Sequence, residues 1–394
     1  MELLDATVQN YFWGDLSFIP TLQGRVPSEE PEAELWVGTH PKSPSGVIGT
    51  TKSLAELIDF DPEKLLGEHV YKTYGQLPYV LKILAIKSPL SLQVHPSEQQ
   101  AITGYNRENN NGISPDDTSR SYHSPTEKSE IVCALTTFEA KFGFRALSET
   151  LKLFKTFNHP DLWELIERFG DGETETETLK GLVEWLLSQS LEKTNIMIQA
   201  VLEKSKKRED LYISELTSFA KLAMYYPNDP CVMISLLLNH VTLHPGDALY
   251  VPPGTVHVYL GGNAVEITSN SDNVVRAGLT TKKVDTDEFI SLVGFTPSIP
   301  DTQYPNSFEK RYEVPIDDFT LTRIDMDGDW TTILTGPEIL ISTDGAFTII
   351  NAEGRSLHVQ EGIPVWVPYS DIQYTLRGKA LVFRGSINTF EIAH

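Results

Sequence analysis

The sequence predicts a mainly β protein: two related jelly-roll β-barrels with a helical subdomain inserted between them. Three observations carry that expectation. Strand-like segments cut by glycine and proline fill the first stretch and return from Val232. Between them, apolar residues recur at helical spacing. Finally, Gly246 to His257 aligns without gaps on Gly362 to Gln373, each reading as a glycine turn, an alternating strand, a Val-Pro stop, a turn and a new strand.

Residues 1–147 read as short strands and loops, with Leu35-Trp36-Val37-Gly38 and Val80 to Ile86 as strands. Tyr105 to Pro125 is polar and rich in Asn, Asp and Ser, and is expected to be a long surface loop. Residues 148–231 are the helical insert. Its stripes are Leu162, Leu165, Ile166 and Phe169, then Leu179, Leu182, Val183 and Leu186, then Ile198, Val201 and Leu202, with Gly170-Asp171-Gly172 as a break. These stripes are core. Residues 232–309 are expected to join 1–147 in one discontinuous catalytic β domain, and 310–394 to form a second barrel without metal, because Gln373 stands where the first copy has His257.

Composition narrows the function. The chain has 394 residues, 40% hydrophobic and 22% charged, enough for two or three domains with a sizeable core. Its net charge of −22 argues against nucleic-acid and anionic-membrane partners, which need clustered Lys and Arg. Any phosphate site must be a local basic pocket. Cys133 and Cys231 sit in apolar runs and read as buried small hydrophobes. The N-terminus has no signal-peptide pattern and no apolar run reaches the ~20 residues of a membrane span, so a cytoplasmic protein, monomeric or weakly oligomeric, is expected.

Three pieces can converge on a metal. Residues two apart in a strand share a face, so Gln93 and His95 point the same way. Glu130 opens an apolar strand, and His257 follows Gly246, Pro252 and Gly254 at the spacing of the second cupin motif. The Asn usual four residues later is replaced by Gly261. Singly, each residue has a bland reading as a core imidazole or a solvated strand end; together, two His, a Glu and a Gln amide oxygen suit zinc. A cationic set lies beside them: Arg276 and Lys282 in one short stretch, Lys82 before Gln93, Lys128 before Glu130, with the Ser91 hydroxyl in parity with Gln93. Such groups are what a phosphate needs.

Gln9-Asn10-Tyr11-Phe12-Trp13-Gly14, Glu34 to Pro41, Pro89 to Pro96, Lys128-Ser129-Glu130 and Ser271 to Lys282 together resemble the type I mannose-6-phosphate isomerases. The similarity spans about residues 5–285 and is weaker in the insert and the C-terminal barrel. The resemblance implies a cupin-type fold, one zinc per chain, and interconversion of mannose 6-phosphate and fructose 6-phosphate within mannose metabolism and GDP-mannose biosynthesis. Carried over by position, Gln93, His95, Glu130 and His257 would be the zinc ligands and Arg276 a catalytic arginine. Lys82, Ser91, Lys128 and Lys282 would contact substrate or phosphate, and Glu266 would be an acidic residue facing the site. Ser129 and Thr281 stand where the family often has Pro. The base is left between Glu266, as first choice, His95 and a metal-bound water; proton transfer through an enediol is favoured over a hydride shift. A non-catalytic metal-containing sugar-phosphate-binding cupin is the alternative, and an iron cupin dioxygenase fits less well with the Gln and the cations.

Overall fold

The computed structural model describes residues 1–114, 117, 119–205 and 212–388. Two antiparallel sheets dominate, one of eleven strands and one of eight. The mainly β, cupin-type architecture with inserted helices is as expected, although among the described residues neither sheet's hydrogen-bonded path closes into a ring.

One strand organises the first sheet. His257–Ser269 is thirteen residues long and almost wholly buried. Its far half lies between Tyr79–Ile86 and Glu130–Ala134, with Glu266 opposite Lys82 and Thr268 opposite Glu130. Its near half pairs with Leu92–Val94 and Phe138–Phe144, placing His257 across from both Gln93 and Phe142. The switch falls at a register shift between Tyr259 and Gly261. Gly262 has φ +110°, and a Cβ there would sit 2.4 Å from the Thr137 carbonyl, so only glycine lets the chain pass. Val275–Gly278 completes this corner, with Arg276 opposite Gln93.

The expected repeat has matching backbones. Ala248–Val251 and Val365–Val367 are its short strands, and long strands then begin at His257 and Gln373. The second sheet also takes in the first strand of the chain, Glu2–Asp5, whose Leu3 pairs with Val365. A shared core of Leu35, Leu81, Ile267, Leu321, Trp366 and Phe383 joins the two sheets. Burial on this scale is the main stabilising term.

The helical insert packs its stripes as expected. Leu165, Leu179, Leu182, Val183, Leu186, Ile198 and Val201 all lie in one core with Val94, Val256 and Val258 of the first sheet. Thr174 and Glu177 form a capping box at the start of Glu175–Leu187. No helix among the described residues is long and apolar enough to cross a membrane.

Local structure departs from expectation in three places. Tyr105 to Asn110 is the end of a helix, Glu98–Asn110, not loop; Ser97 donates its backbone N–H to Gln100, and the face carrying Ala101 and Gly104 is buried. Val232 does not resume strand: Pro230–Ile234 is a helical turn capped by Asp229, and strand returns at Leu238–Leu243. Leu54–Phe60, Pro62–Leu66 and Glu68–Tyr74 are helices inside the supposed strand-and-loop region. There the Ser53-x-x-Glu56 capping box was a readable signal.

Candidate metal centre and substrate pocket

His95, Glu130 and His257 are buried together, with one ligand atom of each within 4.8 Å of the others. His95 Nε2 lies 3.3 Å from Glu130 Oε1, and His257 Nε2 lies 3.9 Å from Glu130 Oε2. The sheet register explains the meeting. Leu92–Val94 carries the Gln93 side, Glu130 starts its own strand, and His257 starts the strand that both sides share.

The imidazoles are oriented from behind. His95 Nδ1 is 3.1 Å from the Asn273 carbonyl, and His257 Nδ1 is 2.9 Å from the Thr255 carbonyl. A carbonyl accepts only, so each Nδ1 carries the proton and each Nε2 turns its lone pair inward. His95 Nε2 is buried without a hydrogen-bond partner. Burial pushes the His95 ring down to about 4 and lowers His257 as well, which keeps both neutral as ligands require. Burial opposes the charge of Glu130, but the Lys128 ammonium, 2.5 Å away, leads the interactions that hold the carboxyl well below its ordinary range. Gln93 donates from Nε2 to His257 Nε2 at 3.1 Å while its Oε1 accepts from Ser91. Turning the amide over exchanges the two atoms and puts an oxygen into the cluster. Two inward lone pairs, a buried carboxylate and an available amide oxygen fit a divalent cation of zinc's preference.

Beside this cluster opens a pocket of about 290 Å³. Eight of the ten expected site residues line it: Lys82, Ser91, Gln93, Lys128, Glu130, Glu266, Arg276 and Lys282. His95 and His257 lie behind, fully buried. Glu266 is buried and ion-paired to Lys82 at 3.1 Å. Burial, and then the charge of Glu130, push its carboxyl up to about 7 against the opposing pull of Lys82. Burial works against the Lys82 charge, but Glu266 and the other nearby carboxylates raise its pKa, so it stays an ammonium.

The cations divide into two groups. Lys82 and Lys128 each hold a carboxylate already. Lys42, which sequence reasoning did not single out, holds Asp272 at 2.8 Å; His40 holds the same carboxylate at 3.1 Å, and together they keep it well ionised despite its burial. Arg276 and Lys282 have no carboxylate partner among the described residues. Lys282 Nζ lies 4.1 Å over the Tyr11 ring, and burial lowers the pKa of both cations. Between them Leu279 takes φ +54°, a strained turn for a non-glycine residue; its N–H donates to Asp229 of the helical insert at 2.6 Å. Tyr11, Glu34, Trp36, His40, Lys42 and Asp272 therefore complete the pocket wall. In the sequence all but Lys42 belong to the segments that carry the family resemblance, and Lys42 directly follows one of them.

Comparison with known proteins places the whole chain among relatives of one kind. The family described as phosphomannose isomerase type I, catalytic domain, matches residues 1–147. The mannose-6-phosphate isomerase of Escherichia coli strain K12 is 35% identical over 98% of this chain and 99% of its own length. Mannose-6-phosphate isomerase 2 of Arabidopsis thaliana is 30% identical over 98% and 92%. Among solved structures, the Salmonella typhimurium mannose 6-phosphate isomerase bound to fructose 6-phosphate and zinc superposes with a TM-score of 0.91 at 30% identity, covering 99% of this chain and all of that one.

Proposed function

Because the chain belongs to the type I mannose-6-phosphate isomerase family, we propose that it is a zinc-dependent aldose–ketose isomerase interconverting mannose 6-phosphate and fructose 6-phosphate. The observation that carries the reading is the buried His95–Glu130–His257 cluster beside a pocket whose cations without carboxylate partners among the described residues are Arg276 and Lys282.

In this reading Gln93, His95, Glu130 and His257 would hold one zinc, which would supply Lewis acidity to the reacting end of the substrate. The rest is the work of the chain. Lys282, with no carboxylate to neutralise it, receives the phosphate, helped by the flexibility of its stem. Arg276 faces the oxygens that become anionic, and its planar fork matches the two adjacent oxygens of an enediolate. Glu266 takes the proton from C2 and returns it at C1, while the proton of the O2 hydroxyl passes to O1 so that the aldehyde becomes a hydroxyl and C2 a carbonyl. A carboxyl near 7 suits both directions, since proton-transfer groups work best when their pKa lies close to the operating pH. Lys82 keeps a cation against Glu266 throughout. Ser91 and Lys128 orient Gln93 and Glu130 and so act on substrate through them. A cytoplasmic protein, monomeric or weakly associated, that serves mannose metabolism and GDP-mannose synthesis completes the reading, its support being membership of the family.

The test is turnover of mannose 6-phosphate by purified protein, with and without a chelator, in normal and deuterated water. Chelator-sensitive turnover with solvent deuterium entering the product supports the reading. Substrate binding without turnover would instead support a non-catalytic sugar-phosphate-binding role, and turnover without deuterium uptake would support a hydride shift.

A further inference from the structure

Asn273 is fully buried, and every hydrogen-bonding group of its side chain is engaged by one loop. Its Oδ1 accepts from the backbone N–H of His123 at 2.7 Å and of Ser124 at 3.3 Å. Its Nδ2 donates to the carbonyls of Ser124 and Thr126, both at 2.8 Å. The residue's own carbonyl, on the other side, accepts from His95 Nδ1 at 3.1 Å. One residue thus grips a loop through its side chain and a metal-ligand imidazole through its backbone. The loop it grips runs within a few residues into Lys128 and Glu130, so residue 273 touches two inputs to the metal cluster, the orientation of His95 and the segment ahead of Glu130.

We infer that Asn273 is a positioning residue that couples the order of the 123–126 loop to the metal-binding geometry of His95 and Glu130. The inference rests on the zinc reading above. An amide is the side chain that fits: the loop offers two N–H donors and two carbonyl acceptors, and Asn presents an acceptor to the first pair and a donor to the second. A carboxylate of the same shape keeps the first pair and sets an acceptor against two carbonyls, leaving them unpaired in a buried place. The strain falls on the loop and on the backbone carbonyl that orients His95. Groups that only orient a ligand commonly change metal affinity measurably.

Asn273→Asp tests this. Zinc affinity, measured by competition with a chromophoric chelator, should fall ~10–100-fold, and the cobalt-substituted variant should show a shifted visible spectrum. A purely structural role predicts a lower unfolding midpoint with zinc affinity and cobalt spectrum unchanged, and that result in a folded variant overturns the inference. The wild-type protein supplies a second arm that needs no variant to fold. Removing zinc should speed amide hydrogen exchange at His123 and Ser124, whose N–H groups Asn273 holds. If those amides exchange alike with and without zinc, the coupling does not exist. A wild-type protein that binds no zinc at all would be a different failure, that of the metal reading itself.

Discussion

Gly246 and Gly362 occupy the same point of the internal repeat, and both take left-handed φ values, +91° and +72°. A short strand, a proline and a turn follow in each copy, and then a long strand that opens on His257 in one and on Gln373 in the other. There the likeness stops. His257 is wholly buried and faces Gln93 and Glu130, while Gln373 is exposed and lies across from Ile333, itself 69% exposed. The turn decides where a side chain leaves the sheet. Whether a site forms there depends on strands brought from elsewhere, and only the first copy receives Leu92–Val94 and the segment leading into Glu130.

The two sheets also treat buried charge differently. In the second, Glu338 accepts from the Tyr374 hydroxyl at 2.6 Å and lies 4.0 Å from Arg384. In the first, Lys141 is fully buried, and its Nζ has no hydrogen-bond partner. The first sheet thus carries a cation outside its metal site with no hydrogen-bond partner among the described residues, whereas the second sheet's Arg384 bonds to Thr332 and Thr322 and lies beside Glu338, although its Nε is left without a partner.

The sharpest way to break the comparison is His257→Ala. Zinc content should fall to background, and turnover should fall beyond the ~10–100-fold typical of a group that only orients a ligand. Elemental analysis and initial rates measure both. Metal retained stoichiometrically by the variant would be held by Gln93, His95 and Glu130 without His257 or at another site, and either result would remove the decisive role given to the first copy's histidine.

Next in size are the cations of the Arg276–Lys282 segment, beside the first copy's site. Arg276→Ala should lower kcat by about 10²–10³-fold, as loss of one donor to a developing oxyanion does. Lys282→Ala should chiefly raise KM, because the phosphate is held alike in ground and transition states. Both should keep their zinc. Steady-state kinetics at saturating zinc separate the two roles, and an Arg276 variant altered only in KM would make the arginine a binding residue.

Lys141→Met probes the uncompensated charge. Burial brings the Lys141 amine down to about 7 from its ordinary 10.5, with Arg145 adding to the shift and Glu215 and Glu139 opposing it. Between those values the unfolded chain holds more protons than the folded one, so this group's contribution makes stability rise with pH from about 7 to 10.5. Below about 7 its cost is fully present. The methionine variant should be more stable at neutral pH by about 1–3 kcal/mol, the penalty of an unpaired buried polar group, and should lose that part of the pH slope. Urea unfolding at two pH values reads both, and a destabilised variant would mean that the amine is compensated.

The smallest effect belongs to Gln373→His, which restores the histidine to the second copy. Stability should change by less than ~0.5 kcal/mol, as for an exposed substitution, and zinc stoichiometry should stay at one. A second bound zinc would mean that the turn alone makes a site.

Much of this was legible in the chain itself. The repeat, the spacing ahead of His257 and the shared face of Gln93 and His95 are local properties of an extended backbone, where side chains alternate and glycine permits a left-handed turn. The stripes of the helical insert follow equally from a period of 3.6 residues. Where several weak local signals competed, local reading failed. The polar run from Tyr105 through Asn110 looked like loop because it holds no aliphatic residue to mark a helical period, and Cys231 to Ile234 looked like strand because it is uniformly apolar, with no period to separate the two.

The tertiary structure alone decided the electrostatics of the pocket. Nothing near Lys82 in the chain says that it will meet Glu266, or that Lys42 and His40 will share Asp272; those pairs are set by strand register and by loops far apart in sequence. The pairing is what leaves Arg276 and Lys282 without carboxylate partners among the described residues, side by side in one pocket of a chain whose net charge is −22. Side-chain direction is written locally by the backbone, but a charge acquires its partner, and its pKa, only from whatever folding brings within a few ångströms.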